Sequence, residues 1–136
     1  MDDIYRKAMK AQVGELAEEM DELYQLVSTG QPVSRVIYRA VERNLQLLTE
    51  ACIGIAKHSL KGMAKEVPSD ARQAFAKLRQ LGLDHSGADW NRIIGMRNAL
   101  VHDYLNLDAE RVLDVVRQRR YQVLLDFAAQ RLADAA

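Results

Sequence analysis

The side chains best suited to chemistry in this chain lie close together, in the eight residues from Arg97 to Tyr104. Arg97 has a permanently charged, planar guanidinium group, and Asn98 beside it adds a neutral amide. His102 can move a proton near neutral pH, because the ordinary pKa of histidine is about 6.5. Tyr104 adds a hydroxyl whose ordinary pKa of about 10 makes it a poor base at neutral pH. We therefore take these four residues as the candidate site.

The position of Arg97 on the predicted helix is unusual for a charged residue. At about 100° per residue, Arg97 falls near the middle of an apolar arc, and a guanidinium group there is costly to desolvate unless it is paired. We infer that the arc is not an ordinary core face, or that Arg97 faces a partner, a phosphate or a carboxylate. The arc consists of Ile93, Ile94, Met96, Leu100, Val101 and Leu105.

Helical spacing also sets how the other candidates lie relative to Arg97. His102 is five positions on, so a straight helix points the two side chains about 140° apart. Asn98 is better placed beside His102, at a separation of four residues. Tyr104 lies two turns beyond Arg97 and only about 20° away from it. Arg97 and His102 can still converge if the helix loosens at its end, or if two chains build one site across a symmetric dimer.

The elements that must position these residues are predicted to be five helices. The first has an apolar seam from Met9 to Val27 and ends at Ser28–Gly30. The second begins at Pro32, runs to about Lys61 and is expected to be the most buried element.

Three shorter helices are predicted to follow. Pro68–Asp70 offers caps for a third helix carrying Phe75 and Leu78. Asp84–Gly87 is predicted to start the helix that carries the candidate site. Asn106–Asp108 then turns into one last helix, whose apolar residues are Val112, Val116, Val123, Leu124 and Phe127.

Composition favours one all-α domain over residues 1–136. Nearly half of the residues are apolar but only 6% are aromatic, and glycine and proline are few. The lone cysteine, Cys52, lies in an apolar helix, permits no intrachain disulfide and is expected to be core filler. We expect a soluble, cytoplasmic protein without a membrane contact, since no leader opens the chain and no apolar run approaches ~20 residues.

The charges cancel, with 19 basic and 19 acidic residues, so any RNA contact must come from a local basic patch. The best candidates are Arg117 and Arg120, which share a face if the last helix is continuous. The alternative interpretation is an ordinary solvated face with ion pairs. The chain has no metal-ligand spacing, glycine-rich phosphate loop or nucleophile elbow, so neither a metal nor another cofactor is expected.

The spacing of Arg97, His102 and Tyr104 resembles the signature of HEPN-domain ribonucleases. Two further stretches resemble HepT-like toxins: Ala40–His58 matches their long second helix, and Met96–His102 matches their motif helix. These toxins belong to bacterial and archaeal HEPN/minimal-nucleotidyltransferase modules, a type VII-like toxin–antitoxin system. The likeness covers nearly the whole chain. It implies an up-and-down HEPN-like bundle that forms a homodimer with a composite site at the interface.

The resemblance also implies a reaction and its control. RNA carries its own nucleophile, the 2′-hydroxyl, so a metal-independent endoribonuclease needs only a proton-transfer group and a fixed positive charge. The resemblance assigns these roles to His102 and Arg97, with Asn98 orienting the phosphate or the imidazole. It makes Tyr104 the acceptor of AMP from a partner nucleotidyltransferase antitoxin, which silences the toxin, and it allows a higher hetero-oligomer of toxin and antitoxin.

A second hypothesis belongs to a different class. In it the protein is a non-catalytic helical module, and Arg97, Asn98 and His102 hold a nucleotide or a partner chain. Apart from either hypothesis, Tyr104 can bind phosphate, accept a hydrogen bond from Arg97, or pack at the helix end.

Overall fold

The computed structural model describes residues 1–63, 65–102 and 107–133, and within those ranges every regular element is an α-helix. The all-α prediction is therefore confirmed. The described residues form six helices and not the five predicted. They are α1 (Asp3–Val27), α2 (Arg35–Gly62), α3 (Ala71–Gln80), α4 (Trp90–His102), α5 (Ala109–Arg117) and α6 (Gln122–Leu132).

Helix α2 is the centre of the fold, as the sequence predicted. It packs against each of the other five helices and contributes a long run of buried residues from Val41 to Leu60. Two of these residues are polar, and each hydroxyl bonds to a carbonyl one turn earlier: Thr49 to Leu45 at 2.9 Å and Ser59 to Ile55 at 2.8 Å. The buried hydroxyl groups are therefore satisfied inside the helix.

Helix α1 lies along α2 and runs in the opposite direction. The rings of Tyr5 and His58 stack at 3.6 Å, which places the beginning of α1 beside the end of α2. The predicted seam forms the contact, because its residues from Val13 to Val27 are buried at helical spacing.

The sixth helix arises from a break that the sequence pattern does not signal. The single predicted last helix divides into α5 and α6 around Arg119, which has a φ of 52°. Arg119 and Arg120 donate backbone hydrogen bonds to the carbonyls of Val116 and Val115, at 3.0 and 2.9 Å. These bonds close the end of α5 in the way a left-handed C-terminal residue usually does. The Arg119 guanidinium lies 4.0 Å from the centre of the Tyr24 ring, which holds the turn in place.

The start of the motif helix also differs from the prediction. α4 begins at Trp90, and Asp84–Gly87 forms a turn before it. The Asp84 carboxylate accepts hydrogen bonds from the backbone N–H and the hydroxyl of Ser86, and Gly87 has a φ of 70°. This local bonding competes with helix formation, so the helix starts later.

None of the helices in the described part of the chain is both long enough and apolar enough to cross a membrane.

Candidate functional site

The N-terminal end of α4 is fixed by a cluster around Asp84, here called the Asp84 cluster: Arg79, Asp84, Ser86 and Trp90. The Asp84 carboxylate is fully buried and accepts hydrogen bonds from the Trp90 indole at 2.7 Å, the Ser86 hydroxyl at 2.6 Å and the Arg79 guanidinium at 3.2 Å. Arg79 also donates to the Ala88 carbonyl at 2.7 Å. Burial alone raises the pKa of Asp84, but the bonds from Ser86, Trp90 and Arg79 outweigh it and hold the pKa below its ordinary value.

Aromatic packing completes this end of the helix. The Trp90 ring stacks on Phe75 at 3.7 Å with an angle of 8° between the planes, and meets the edge of Phe127 at 5.0 Å. The three rings join α3, α4 and α6, so they fix where α4 begins and in which direction it leaves the core.

Arg97 lies on the same side of α4 as Trp90 and Ile94, both of which are buried. Arg97 follows Trp90 by seven residues and Ile94 by three. These spacings bring the three side chains to one face of the helix. Arg97 itself is half-buried, and its Nε atom is buried without a hydrogen-bond partner among the described residues. The Nε of Arg6 is also buried without an acceptor among the described residues, but Arg6 is paired with Asp3, whereas Arg97 forms no ion pair there. Arg97 is therefore the better candidate for binding a ligand or a partner.

Beside Arg97 the helices leave a groove of about 520 Å³, which we call the α4 groove. One wall is α4, the other is α5 with α6, and Leu45 and Thr49 of α2 form the floor. No Cα atom of α4 in the described residues approaches within 8 Å of α5 or α6, so the two walls stand apart. The groove is lined by Leu45, Thr49, Gly87, Ala88, Asp89, Arg92, Ile93, Met96, Arg97, Leu100, Val115, Arg120, Tyr121, Val123 and Leu124.

Three arginines line the α4 groove: Arg92, Arg97 and Arg120. Within the described ranges none of them forms an ion pair with a carboxylate. Arg120 donates a hydrogen bond at 2.7 Å to the neutral Gln118 side chain. Among the described residues, no ion pair offsets the positive charge that these three arginines bring to the groove.

Arg117 does not contribute to the positive charge of the groove. Its guanidinium donates to the Val27 carbonyl at 3.1 Å and to Glu110 at 2.8 Å, and lies 3.6 Å from Asp114. The predicted common helix face of Arg117 and Arg120 is wrong, because α5 ends at Arg117 and the chain turns at Arg119. Of the two candidate RNA-binding arginines, the structure places only Arg120 in the groove.

Asn98 and His102 lie away from the groove. Asn98 is half-buried, His102 is exposed at the last residue of α4, and neither lines the groove. At about 100° per residue, the side chain of Asn98 points about 100° away from that of Arg97, and the side chain of His102 about 140° away. One chain by itself therefore does not bring Arg97 and His102 to the same place. Tyr104 lies outside the described residues.

The sequence analysis did not identify Arg92 as a site residue. It lies one turn before Met96 on α4, so helical spacing alone would have placed it at the edge of the same face. Arg92 and Arg120 line the same groove because the chain breaks between α5 and α6, and the sequence pattern did not show that break.

No group of three or more His, Cys, Asp or Glu side chains among the described residues is arranged to hold a metal ion. The thiol of Cys52 is buried, contacts the Leu124 carbonyl at 3.4 Å and has its pKa raised by burial. It is core filler, as the sequence predicted.

The fold and site define a helical domain whose fourth helix carries an arginine and a histidine five residues apart. Residues 12–131 match the family model described as "Ribonuclease HepT-like". The chain belongs to the HepT-like ribonuclease family, which confirms the resemblance inferred from Arg97–Tyr104 and Ala40–His58.

Individual relatives agree with this assignment. The mRNA nuclease HepT of Shewanella oneidensis is 37% identical over 76 residues, which span 54% of this chain and 57% of that protein. The match thus covers little more than half the length of the curated relative. A tri-AMPylated Shewanella oneidensis HEPN toxin in complex with an MNT antitoxin is similar in structure, with a TM-score of 0.77 and 25% identity over 96% of this chain and 97% of that one.

A crystal structure of a toxin–antitoxin with AMP-PNP contains a second similar chain. Its TM-score is 0.75 at 24% identity, and the match covers 96% of this chain and 99% of that chain. At this identity the match supports the fold.

Proposed function

We propose that this protein is a metal-independent endoribonuclease of the HepT-like kind and the toxin of a toxin–antitoxin pair, acting in the cytoplasm as a single HEPN domain over residues 1–136. The observation that carries the proposal is Arg97, a half-buried arginine whose Nε has no acceptor among the described residues. An RNA phosphate would supply that acceptor. The matched family and the relative described as an mRNA nuclease support the same chemistry.

The proposed reaction uses groups on the substrate and on this chain. The 2′-oxygen of RNA attacks the neighbouring phosphorus, and the bond from phosphorus to the 5′-oxygen breaks. His102 either takes the proton from the 2′-hydroxyl while water protonates the departing 5′-oxygen, or protonates the 5′-oxygen while water takes the proton of the 2′-hydroxyl. Arg97 stabilises the charge that builds on the phosphate oxygens, and Asn98 orients the phosphate or the imidazole. The products carry a cyclic phosphate and a 5′-hydroxyl end.

A single chain turns Arg97 and His102 about 140° apart, so we propose that the site forms across a homodimer. Arg97 of one subunit then faces His102 of the partner subunit. A two-fold axis would produce two such sites and would cover the partly exposed end of α4.

Subunit mixing tests this arrangement directly. Arg97→Ala and His102→Ala are each expected to be inactive, but a heterodimer of the two retains one complete site out of two. After unfolding and refolding together, an equal mixture should recover about a quarter of wild-type cleavage, since half of the dimers are mixed. Total RNA with end analysis is the assay. A mixture as inactive as its parents would contradict the shared site, and sedimentation of the wild type as a monomer would contradict the dimer.

We further propose that a nucleotidyltransferase antitoxin silences this toxin by transferring AMP to Tyr104. The tyrosine oxygen would bond to the α-phosphorus of ATP, and pyrophosphate would leave. The added negative charge and bulk next to the site would exclude an RNA phosphate. In support, a similar solved chain is a tri-AMPylated HEPN toxin bound to its MNT antitoxin.

Mass spectrometry tests this control. Incubation with the antitoxin and ATP should add one or more AMP units, all on Tyr104. Tyr104→Phe should keep most of the cleavage activity and escape silencing. Label on another residue, or a Tyr104→Phe variant as inactive as His102→Ala, would contradict the model.

A further inference from the structure

We propose that the α4 groove binds the RNA nucleotide next to the cleaved bond, and that Arg92 and Arg120 are positioning residues for its phosphate. The inference rests on the proposed ribonuclease function and names a binding subsite for its substrate. Arg97 and Leu100 are the lining residues nearest the C-terminal end of α4, so the groove and the proposed catalytic site would meet at this end.

The charge of the groove fits a phosphate. Arg92 and Arg120 come from opposite walls, and the one acidic residue in the lining, Asp89, accepts a hydrogen bond at 3.3 Å from the Arg92 backbone N–H. Because three arginines face one carboxylate, the groove carries a net positive charge. Guanidinium groups bind phosphate oxygens through paired N–H donors, and a neutral ligand would leave their charge without a counter-charge.

The remaining lining fits a base. Between the arginines the half-buried surface is aliphatic, with Ile93 and Leu100 on α4 facing Val123 on α6. At about 520 Å³ the groove lies within the range of pockets that bury a small ligand. This aliphatic surface can accept the flat apolar face of any base while the arginines hold the phosphate of the same nucleotide.

The same observations disfavour a protein occupant. A helix of another subunit laid into the slot would remove Arg92 and Arg120 from water, which is costly unless that helix brings a carboxylate to each of them. A nucleotide supplies the counter-charge and the apolar face together.

The test measures binding separately from cleavage. A fluorescent oligoribonucleotide with 2′-O-methyl groups lacks the nucleophile and should bind without being cut. Arg92→Gln and Arg120→Gln should each raise its Kd roughly tenfold. Each should also reduce the slope of log K against log salt by about 0.7, the value for one contact to a single strand. With cleavable RNA, both variants should raise KM, so cleavage at low RNA concentration should fall in proportion to the loss of affinity.

Arg35→Gln is the matched control. Arg35 is exposed at the start of α2, ten residues before Leu45 and therefore about 15 Å from the groove floor by helical rise. It should leave both Kd and salt slope unchanged. Val123→Phe narrows the slot without altering charge, and should raise the Kd while keeping the wild-type salt slope. Circular dichroism checks that each variant is folded.

The outcomes separate the two proposals. If Arg92→Gln and Arg120→Gln bind like Arg35→Gln, the subsite is wrong even if the wild type cleaves RNA. If they turn a dimer into a monomer without changing RNA affinity, the groove is a protein interface and the subsite is also wrong. If the wild type never cleaves but its binding depends on both arginines, the subsite stands and the ribonuclease function falls.

Discussion

The two ends of α4 are built in opposite ways. At the N-terminal end Trp90 is 5% exposed, packs between aromatic rings and donates to a buried carboxylate that three other groups also bind. At the C-terminal end Val101 is 42% exposed, His102 is exposed, and the Nε of Arg97 is buried without an acceptor among the described residues. Two turns of one helix separate these environments.

The difference indicates a division of labour along α4. A buried donor without an acceptor costs about 1–3 kcal/mol, so an arginine held as Arg97 is lowers stability unless a ligand binds it. The rigid packing around Trp90 offsets that cost and keeps Arg97 in position. Stability is concentrated at one end of α4 and chemistry at the other, which is a common arrangement in proteins whose sites are strained.

The largest effect should come from the C-terminal end and should appear as a loss of activity without a loss of stability. Arg97→Ala should lower the cleavage rate by ~10²–10³ and His102→Ala by ~10²–10⁴, since each removes a group that acts on the transition state. Single-turnover cleavage of a defined RNA measures both. Urea denaturation should show a free energy of unfolding within about 0.5 kcal/mol of wild type for the exposed His102→Ala. A clearly larger loss of unfolding free energy in His102→Ala would mean that the C-terminal end of α4 also supports the fold.

The next largest effect should come from the N-terminal end and should appear in stability. Trp90→Ala removes a buried ring and should lower the free energy of unfolding by about 3–5 kcal/mol. Trp90→Phe keeps a ring against Phe75 but loses the hydrogen bond to Asp84, and should cost about 1–3 kcal/mol. Urea denaturation gives both values. Leu100 is half-buried near the other end of α4. If Leu100→Ala lowers the free energy of unfolding as much as Trp90→Ala does, the contrast between the two ends is wrong.

A smaller loss is expected from Asp84→Asn, which keeps the size of the side chain but replaces a charged acceptor. It weakens the bonds from Arg79, Ser86 and Trp90 and should cost about 1–3 kcal/mol. Asp126→Asn is the control, because Asp126 is exposed and bonds only to the Gln122 side chain among the described residues. It should change stability by less than about 0.5 kcal/mol. If the two substitutions change the free energy of unfolding equally, Asp84 does not stabilise the start of α4.

The smallest effect is a dependence of stability on pH. The folded pKa of Asp84 lies below its ordinary value of 3.8, so its carboxylate is stabilised by folding above that value. This contribution is present at neutral pH and is lost as the pH falls from its ordinary value through the lower folded value. The urea midpoint of the wild type should therefore drop more between pH 6 and pH 3 than that of Asp84→Asn. Parallel pH profiles would show that Asp84 does not contribute.

Local patterns predicted much of this molecule. The seam of α1, the length and burial of α2 and the N-cap at Asp70 all depend on periodicity or on neighbours within four residues. The side of α4 on which Arg97 lies depends on the same spacing. Each of these features was predicted from the sequence and lies where it was expected.

The features that the sequence missed depend on distant or rare interactions. A non-glycine residue with positive φ, such as Arg119, has no local signal, so the break between α5 and α6 was missed. Arg117 was a candidate RNA contact with an ion-paired face as the alternative, and its bonds to Glu110 and to the carbonyl of Val27, ninety residues away along the chain, agree with the alternative. The start of α4 depends on the Asp84 carboxylate accepting bonds from Ser86 and from Arg79 of α3, a combination that periodicity does not report.

The central position of α2 has a consequence for how the protein opens. Because α2 packs against all five other helices, none of them can leave without uncovering part of it, and it cannot leave without releasing them all. Its amide hydrogens should therefore exchange with deuterium only through global unfolding, whereas those at the ends of the outer helices exchange through local fraying. In an exchange experiment the stretch from Val41 to Leu60 should be the last to take up the label, and its exchange rate should report the free energy of unfolding of the whole domain.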